Sequence, residues 1–113
     1  MGKIEKYEAA ILDILKDYHH PASPMDKTTT HLIVDHKNHH YQILTEGWEQ
    51  DDDYTLSILL HLHIKSDGKI WILANWTEDD IANILVEKGV LKSDIVLGLL
   101  PVEVRSYSGY ATA

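Results

Sequence analysis

The chain has 113 residues, 44% of them hydrophobic, and its 10 lysines and arginines against 18 aspartates and glutamates give a formal net charge of −8. This length and composition predict a single globular domain over residues 1–113, and the acidic charge disfavours direct binding to a nucleic-acid backbone. The absence of cysteine excludes disulfides and thiolate metal sites, and the lack of a secretion leader or of an apolar run near ~20 residues favours a cytoplasmic protein that does not enter the membrane.

The N-terminal segment predicts an amphipathic helix over residues 4–18. Its apolar side chains recur at steps of three and four, which places them on one face: Ile4, Tyr7, Ile11, Ile14, Leu15 and Tyr18. The helix must end by His20, because Pro21 disfavours helical backbone in the residue before it. A short loop is predicted at residues 21–24.

Four strands are predicted to follow. Their ranges are Thr28–Asp35, 39–47, 54–65 and 69–75, separated by a turn at 36–38, an acidic loop at 49–53 and a glycine turn at 66–68. The third strand has the clearest alternation. Its predicted faces are Leu56, Ile58, Leu60, Leu62 and Ile64 on one side, and Ser57, Leu59, His61, His63 and Lys65 on the other.

A second helix is predicted to begin at Thr77, whose hydroxyl would accept hydrogen bonds from the first-turn amides. Its apolar stripe consists of Ile81, Ile84 and Leu85. Gly89 is placed to end the helix in the left-handed conformation. An apolar tail runs from Val90, and Pro101 begins a short helix or turn.

The order of these elements contains no βαβ crossover and predicts an α+β fold, a two-layer sandwich in which an antiparallel meander sheet carries both helices on one face. The opposite face would hold His31, Ile33, Gln42, Leu44, Leu59, His61, His63, Trp71 and Leu73. That mixture is too apolar for a fully solvated surface. We therefore expect the C-terminal segment or another subunit to cover it, and we favour a homo-oligomer.

The histidines of the third strand are the first candidate for chemistry. His61 and His63 are two residues apart and point to the same side, and His31 could join them from a neighbouring strand as a metal ligand. The alternative interpretation is a half-buried polar face at an interface. A clustered set at the first turn, His36, His39 and His40, is predicted to be solvated.

The acidic loop is the second candidate. Glu49, Asp51, Asp52 and Asp53 lack the glycine and the spaced acceptors of a calcium loop, so they are expected to be solvated or to contact a basic partner. Trp48 and Trp71 could stack on bases of a single strand, but without a basic groove they are predicted to pack in the sheet or anchor an interface. The sequence shows no phosphate loop, nucleophile elbow or HExxH motif, so we expect neither an enzyme nor a bound cofactor.

Motifs along nearly the whole chain resemble the XisI family. They are HYQI at residues 40–43 followed by Gly47 and Trp48, DGKIWI at 67–72, the TE…IA pattern from Thr77 to Ala82, DIVLG at 94–98, and the pattern from Pro101 through EVR to Tyr107. XisI-like proteins are cyanobacterial and are named fdxN-element excision controlling factors. The resemblance implies a regulator of DNA excision by a site-specific recombinase, acting with a XisH-like companion, and it assigns no catalytic residue.

Three functions remain open from the sequence. The first is a regulatory module that binds a XisH-like protein or a recombinase through the acidic loop or the second sheet face, with Glu49, Asp51, Asp52, Asp53, His61, His63 and Trp71 as candidate contacts. The second is a direct DNA-binding excision factor that uses the few late-chain cations. The third is a histidine-based metal or small-molecule site.

Overall fold

The computed structural model describes residues 2–20, 25 and 27–113, so the predicted loop at 21–24 lies outside the described residues. The elements are α1 Lys3–Leu15, β1 Thr28–Asp35, β2 His40–Gln50, β3 Asp53–Ile64, β4 Ile70–Asn75, α2 Ile81–Glu87, β5 Ile95–Val96 and α3 Val102–Arg105. A 3-10 turn, Lys16–Tyr18, extends α1. Among the described helices none has the length and apolarity that a membrane span requires.

The five strands form one sheet in the order β1-β2-β3-β4-β5. The first four are antiparallel neighbours, which confirms the predicted meander. The fifth strand was not predicted, and it pairs parallel with β4 through Ile70 with Ile95 and Trp71 with Val96. The α+β fold is confirmed, with the correction that the sheet is mixed because the chain returns beside β4 after α2.

Both long helices pack on one face of the sheet, which we call the inner face. The buried helix side chains are Tyr7, Ile11, Ile14 and Leu15 from α1 and Ile81, Ala82 and Leu85 from α2. They meet a layer of sheet residues that comprises Tyr41, Ile43, Leu60, Leu62, Ile64, Ile70 and Ile72. Burial of each large aliphatic side chain contributes about 1.5–3 kcal/mol, so this layer is the main source of stability.

The start of α2 differs from the prediction. The helix begins at Ile81, and Asp80 is the capping residue, because its carboxylate accepts a hydrogen bond from the Asn83 amide at 3.1 Å. Thr77 instead lies in the preceding turn, where its hydroxyl donates to Asn75 Oδ1 at 2.6 Å. Gly89 has a φ of +98°, as predicted for a residue that ends a helix.

A β-bulge in β3 corrects the predicted strand faces. Ile43 pairs with Leu60 but the next residue, Leu44, pairs with Ile58, so Leu59 has no opposite residue on β2. An extra residue in one strand reverses the sides to which the residues beyond it point. The sequence pattern cannot reveal this reversal, because the alternation of apolar residues continues without a break from Leu56 to Ile64 and Leu59 is itself apolar.

The bulge moves part of the predicted core to the opposite side of the sheet, which we call the outer face. Leu60 remains on the inner face and is fully buried, whereas Leu56 and Ile58 are 61% and 39% exposed. Leu56 and Ile58 therefore share the outer face with His61 and His63, and the prediction of one continuous apolar face from Leu56 to Ile64 was wrong.

Candidate functional site

The outer face consists of cross-strand rows whose chemistry changes along the sheet. From the tip of the β2–β3 hairpin inward, the rows are Trp48 and Tyr54; Thr29, Glu46 and Leu56; His31, Leu44 and Ile58; Ile33, Gln42, His61 and Ala74; and Asp35, His40, His63 and Trp71. The first row is aromatic, the second and third combine the aliphatic Leu44, Leu56 and Ile58 with the polar Thr29, Glu46 and His31, and the last two carry the imidazoles of His40, His61 and His63. This order defines the candidate surface.

The imidazoles form a hydrogen-bonded and stacked cluster. His40 Nδ1 lies 2.9 Å from His61 Nε2, and the ring of His40 stacks on that of His63 with centroids 3.8 Å apart. Burial lowers the pKa of both His61 and His63, and the neighbouring His40 lowers both further. His61 and His63 therefore favour the neutral form at neutral pH and remain polar.

The structure separates the histidines that were predicted to share a metal. His61 and His63 lie on one face, as predicted, but their third neighbour is His40. His31 lies against Glu46 instead, with 3.2 Å between Nε2 and Oε1. Within residues 2–20, 25 and 27–113 no group of three or more histidine, aspartate or glutamate side chains is arranged to hold a metal ion.

The remaining turn histidines contact Glu8 of α1 and Tyr41 of β2; His36 is exposed, which agrees with the predicted solvation, whereas His39, like His40, is half-buried. His36 Nδ1 lies 3.1 Å from Glu8 Oε1, His39 Nδ1 lies 3.1 Å from the Tyr41 hydroxyl, and Tyr41 donates a hydrogen bond to Glu8. Burial acts to raise the pKa of Glu8, but the hydrogen bonds from Tyr41 and His36 outweigh it and the pKa is lowered. This network fastens the β1–β2 turn to the helix layer.

The acidic hairpin tip carries the four carboxylates predicted as partner contacts. Glu49, Asp51, Asp52 and Asp53 are all exposed, and the backbone turns at Asp51 and Asp52. In the part of the chain that the structure describes, none of these side chains has a hydrogen bond or an ion pair. The tip is thus a cluster of exposed carboxylates at the end of a hairpin, and Lys27 lines the same surface hollow as Glu49 and Asp51.

An open apolar hollow lies between the tip and the imidazole rows. Its volume is about 850 Å³, and it is lined by Leu44, Leu56, Ser57, Ile58, Leu59, Ala74 and Trp76. Trp76 is 80% exposed. The sequence did not single out Leu56, Ile58 or Trp76 as surface contacts, because only the bulge in β3 turns the two aliphatic side chains outward.

Trp71 occupies the opposite end of the outer face and is covered by the chain itself. The ammonium of Lys65 lies 3.6 Å from the centroid of its ring, and the guanidinium carbon of Arg105 lies 5.1 Å from it. Arg105 is held in place by donating to the Leu100 carbonyl at 3.1 Å. The C-terminal segment therefore covers this end of the face, and Trp71 can reach a partner only if these cations move aside.

Gly98 allows the C-terminal segment to approach the tryptophan closely. A Cβ at this position would lie 2.7 Å from Cε3 of Trp71 and 3.0 Å from a methyl group of Leu73. Gly98→Ala is therefore expected to lower the free energy of unfolding by about 1–3 kcal/mol through overpacking. Urea denaturation measures the change, and Gly2→Ala, where the nearest atoms are at ordinary contact distance, is the control. Equal stability of the two variants would contradict the expectation.

The sequence and the fold of this chain are similar to those of known proteins. A family model described as XisI protein matches residues 1–112. The crystal structure of a XisI-like protein from Anabaena variabilis superposes with a TM-score of 0.87 at 34% identity, covering 97% of this chain and 99% of that chain. The crystal structure of the fdxN element excision controlling factor XisI from Anabaena variabilis gives a TM-score of 0.85 at 28% identity, covering 99% and 100%. No curated protein matches the sequence.

Proposed function

The chain belongs to the XisI family, and from this we propose that it is a non-catalytic accessory factor that controls excision of a DNA element by binding another protein. The similar XisI structure is that of a protein named as an excision controlling factor, and this name supports excision control as the process. The partner that we propose is a XisH-like protein or a site-specific recombinase. Because such a factor acts on the chromosome, we expect it in the cytoplasm.

The observation that carries this proposal is the acidic hairpin tip, where Glu49, Asp51, Asp52 and Asp53 have no partner among the described residues. Exposed carboxylates without counter-ions attract a basic protein surface, raise the rate of encounter and make binding dependent on salt. They repel a phosphate backbone for the same reason. A protein that handles DNA commonly has a basic surface, so a nuclease-like companion or a recombinase is a partner of suitable charge.

The test is binding of a XisH-like protein to this chain, measured by titration calorimetry. Replacing the tip aspartates together (Asp51→Ser, Asp52→Ser and Asp53→Ser) is expected to weaken the complex about tenfold, because three rim charges each contribute up to about 1 kcal/mol but are not fully additive. This loss of affinity should become smaller as the salt concentration is raised, since salt also screens the tip charges of the wild-type chain.

A matched control removes the same number of charges elsewhere. Asp17, Glu78 and Glu103 are exposed and lie outside the hairpin, so the combined Asp17→Ser, Glu78→Ser and Glu103→Ser variant should bind nearly as the wild type does. Equal weakening by both variants would mean that net charge, and not the tip, attracts the partner. A shift of bare DNA by this chain alone at about 50 mM salt, where phosphate contacts are strongest, would contradict the proposal and favour direct DNA binding.

A further inference from the structure

The middle of the outer face exposes large apolar side chains that nothing in the described chain covers. The exposed fractions are 80% for Trp76, 61% for Leu56, 56% for Trp48, 47% for Tyr54, 40% for Ile33 and 39% for Ile58. Leu56, Ile58 and Trp76 line the apolar hollow, and Ile33, Trp48 and Tyr54 lie in the neighbouring rows of the same face. Monomeric proteins rarely leave a contiguous apolar patch of this kind in water.

We propose that a second copy of this chain covers the patch, with the two outer faces packed against each other about a two-fold axis near Leu44 and Ile58. This interface goes beyond the proposed function and uses a different surface, since the acidic hairpin tip lies past the row of Trp48 and Tyr54. The tips lie at the two ends of the dimer.

The rows of the outer face are complementary to themselves under this rotation. An axis through the row of Leu44 and Ile58 brings the aromatic row of one copy against the row of His40 and His63 in the second copy. It also brings the row containing Glu46 against the second copy's row that contains His61, where ring N–H groups can meet the carboxylate. The rings of Trp48 and Tyr54 therefore face the row that contains imidazole rings, and the Glu46 carboxylate faces the row that contains ring N–H donors.

The charges on the patch also favour a second copy over a partner of different chemistry. Glu46 is already paired with His31 at 3.2 Å, and burial lowers the pKa of His61 and His63. An isologous contact about this axis places Glu46 against the row of Gln42 and His61 and away from the Glu46 of the second copy, although the chain as a whole has a net charge of −8. Interfaces between identical subunits are the most apolar and charge-depleted class, which this patch matches.

The size of the patch suits a dimer. It spans three neighbouring strands, β1 to β3, and ten residues of β3 from Tyr54 to His63. With strands about 4.8 Å apart and about 3.4 Å per residue, the footprint is roughly 15 by 35 Å. This is about 500 Å² in projection, to which the uneven side-chain surface adds, against the roughly 800 Å² that each partner contributes to a standard interface.

Sedimentation velocity tests the dimer over about 5 to 100 μM protein, since association depends on concentration. The wild-type chain is expected to sediment at twice its 12.9 kDa. Ile58→Asp places a charge on the axis and is expected to shift the chain to 12.9 kDa over the same range. Leu56→Asp, at a more exposed position, provides a second disrupting variant in case Ile58→Asp fails to fold.

Leu91→Asp is the matched control, because Leu91 is 62% exposed and does not lie on the outer face. It should remain dimeric. A wild-type chain that stays at 12.9 kDa at the highest concentration, or a dimer that persists in both outer-face variants, would overturn the proposal. Loss of the dimer in Leu91→Asp as well as in the outer-face variants would place the contact elsewhere and overturn it too.

Discussion

Gly47→Ala is expected to lower the free energy of unfolding by about 2–5 kcal/mol. Gly47 has a φ of +154°, which an L side chain rarely adopts, and an added Cβ would lie 2.4 Å from the Lys27 carbonyl oxygen and 2.8 Å from the Thr28 Cα. Both of these atoms are backbone, so β1 would have to move away from β2. Backbone strain of about 1–3 kcal/mol and a similar cost of overpacking act together here. Urea denaturation followed by tryptophan fluorescence measures the change.

Gly109→Ala separates the two causes. Gly109 also has a positive φ of +86°, but nothing lies within 4 Å of the added Cβ, so this variant experiences only the conformational strain. We expect it to lose about 1 kcal/mol. If Gly47→Ala were no less stable than Gly109→Ala, the close approach of β1 would not be the reason for a glycine before Trp48.

Local patterns predicted the first part of the fold well. The bounds of β1 agree with the prediction at both ends, because a run of β-branched residues is bounded by polar turn residues. The turn at Gly68 is also confirmed, with a φ of +85°. These features depend on a few neighbouring residues, and the sequence states them directly.

Features that depend on pairing between distant residues were missed. Whether β3 contains a bulge is decided by its register with β2. The residue types do not reveal it, because Leu59 and Leu60 are both leucines and suit a core position equally well. The two residues of β5 are too few to show a period, and their place beside β4 depends on how α2 directs the chain. The sequence consequently predicted the correct layers and most of the outer face, but it wrongly assigned Leu56 and Ile58 to the inner face.

The candidate site shows the same division. The spacing of His61 and His63 correctly placed both rings on one face. Their third neighbour could not be predicted, because His40 reaches them only through the register of β2 with β3. Exposure of the acidic tip was predicted correctly, since three successive aspartates have no favourable place in a core.

Asp94 provides the second large expected effect. It precedes β5 and is 8% exposed. Its carboxylate accepts a hydrogen bond from the Tyr7 hydroxyl at 2.6 Å and forms an ion pair with the Lys3 ammonium at 3.1 Å. These contacts fasten the C-terminal segment to α1. Asp94→Ala is expected to lower the free energy of unfolding by about 2–4 kcal/mol, because it removes a charged acceptor and leaves the Tyr7 hydroxyl buried without its partner. Urea denaturation of Asp94→Ala, Tyr7→Phe and the double variant measures the coupling.

The effect of Asp94 should depend on pH in a defined direction. Burial acts to raise its pKa, but the hydrogen bonds from Tyr7 and Lys3 outweigh burial and lower it. A carboxyl whose pKa is lower in the folded state stabilises the fold fully above its unfolded pKa of about 3.9. That stabilisation is lost as the pH falls from about 4 through the folded pKa. The difference in stability between wild type and Asp94→Ala should therefore be constant near pH 7 and shrink below about pH 4, and a difference that grows on acidification would show that the folded carboxyl is not held in its charged form.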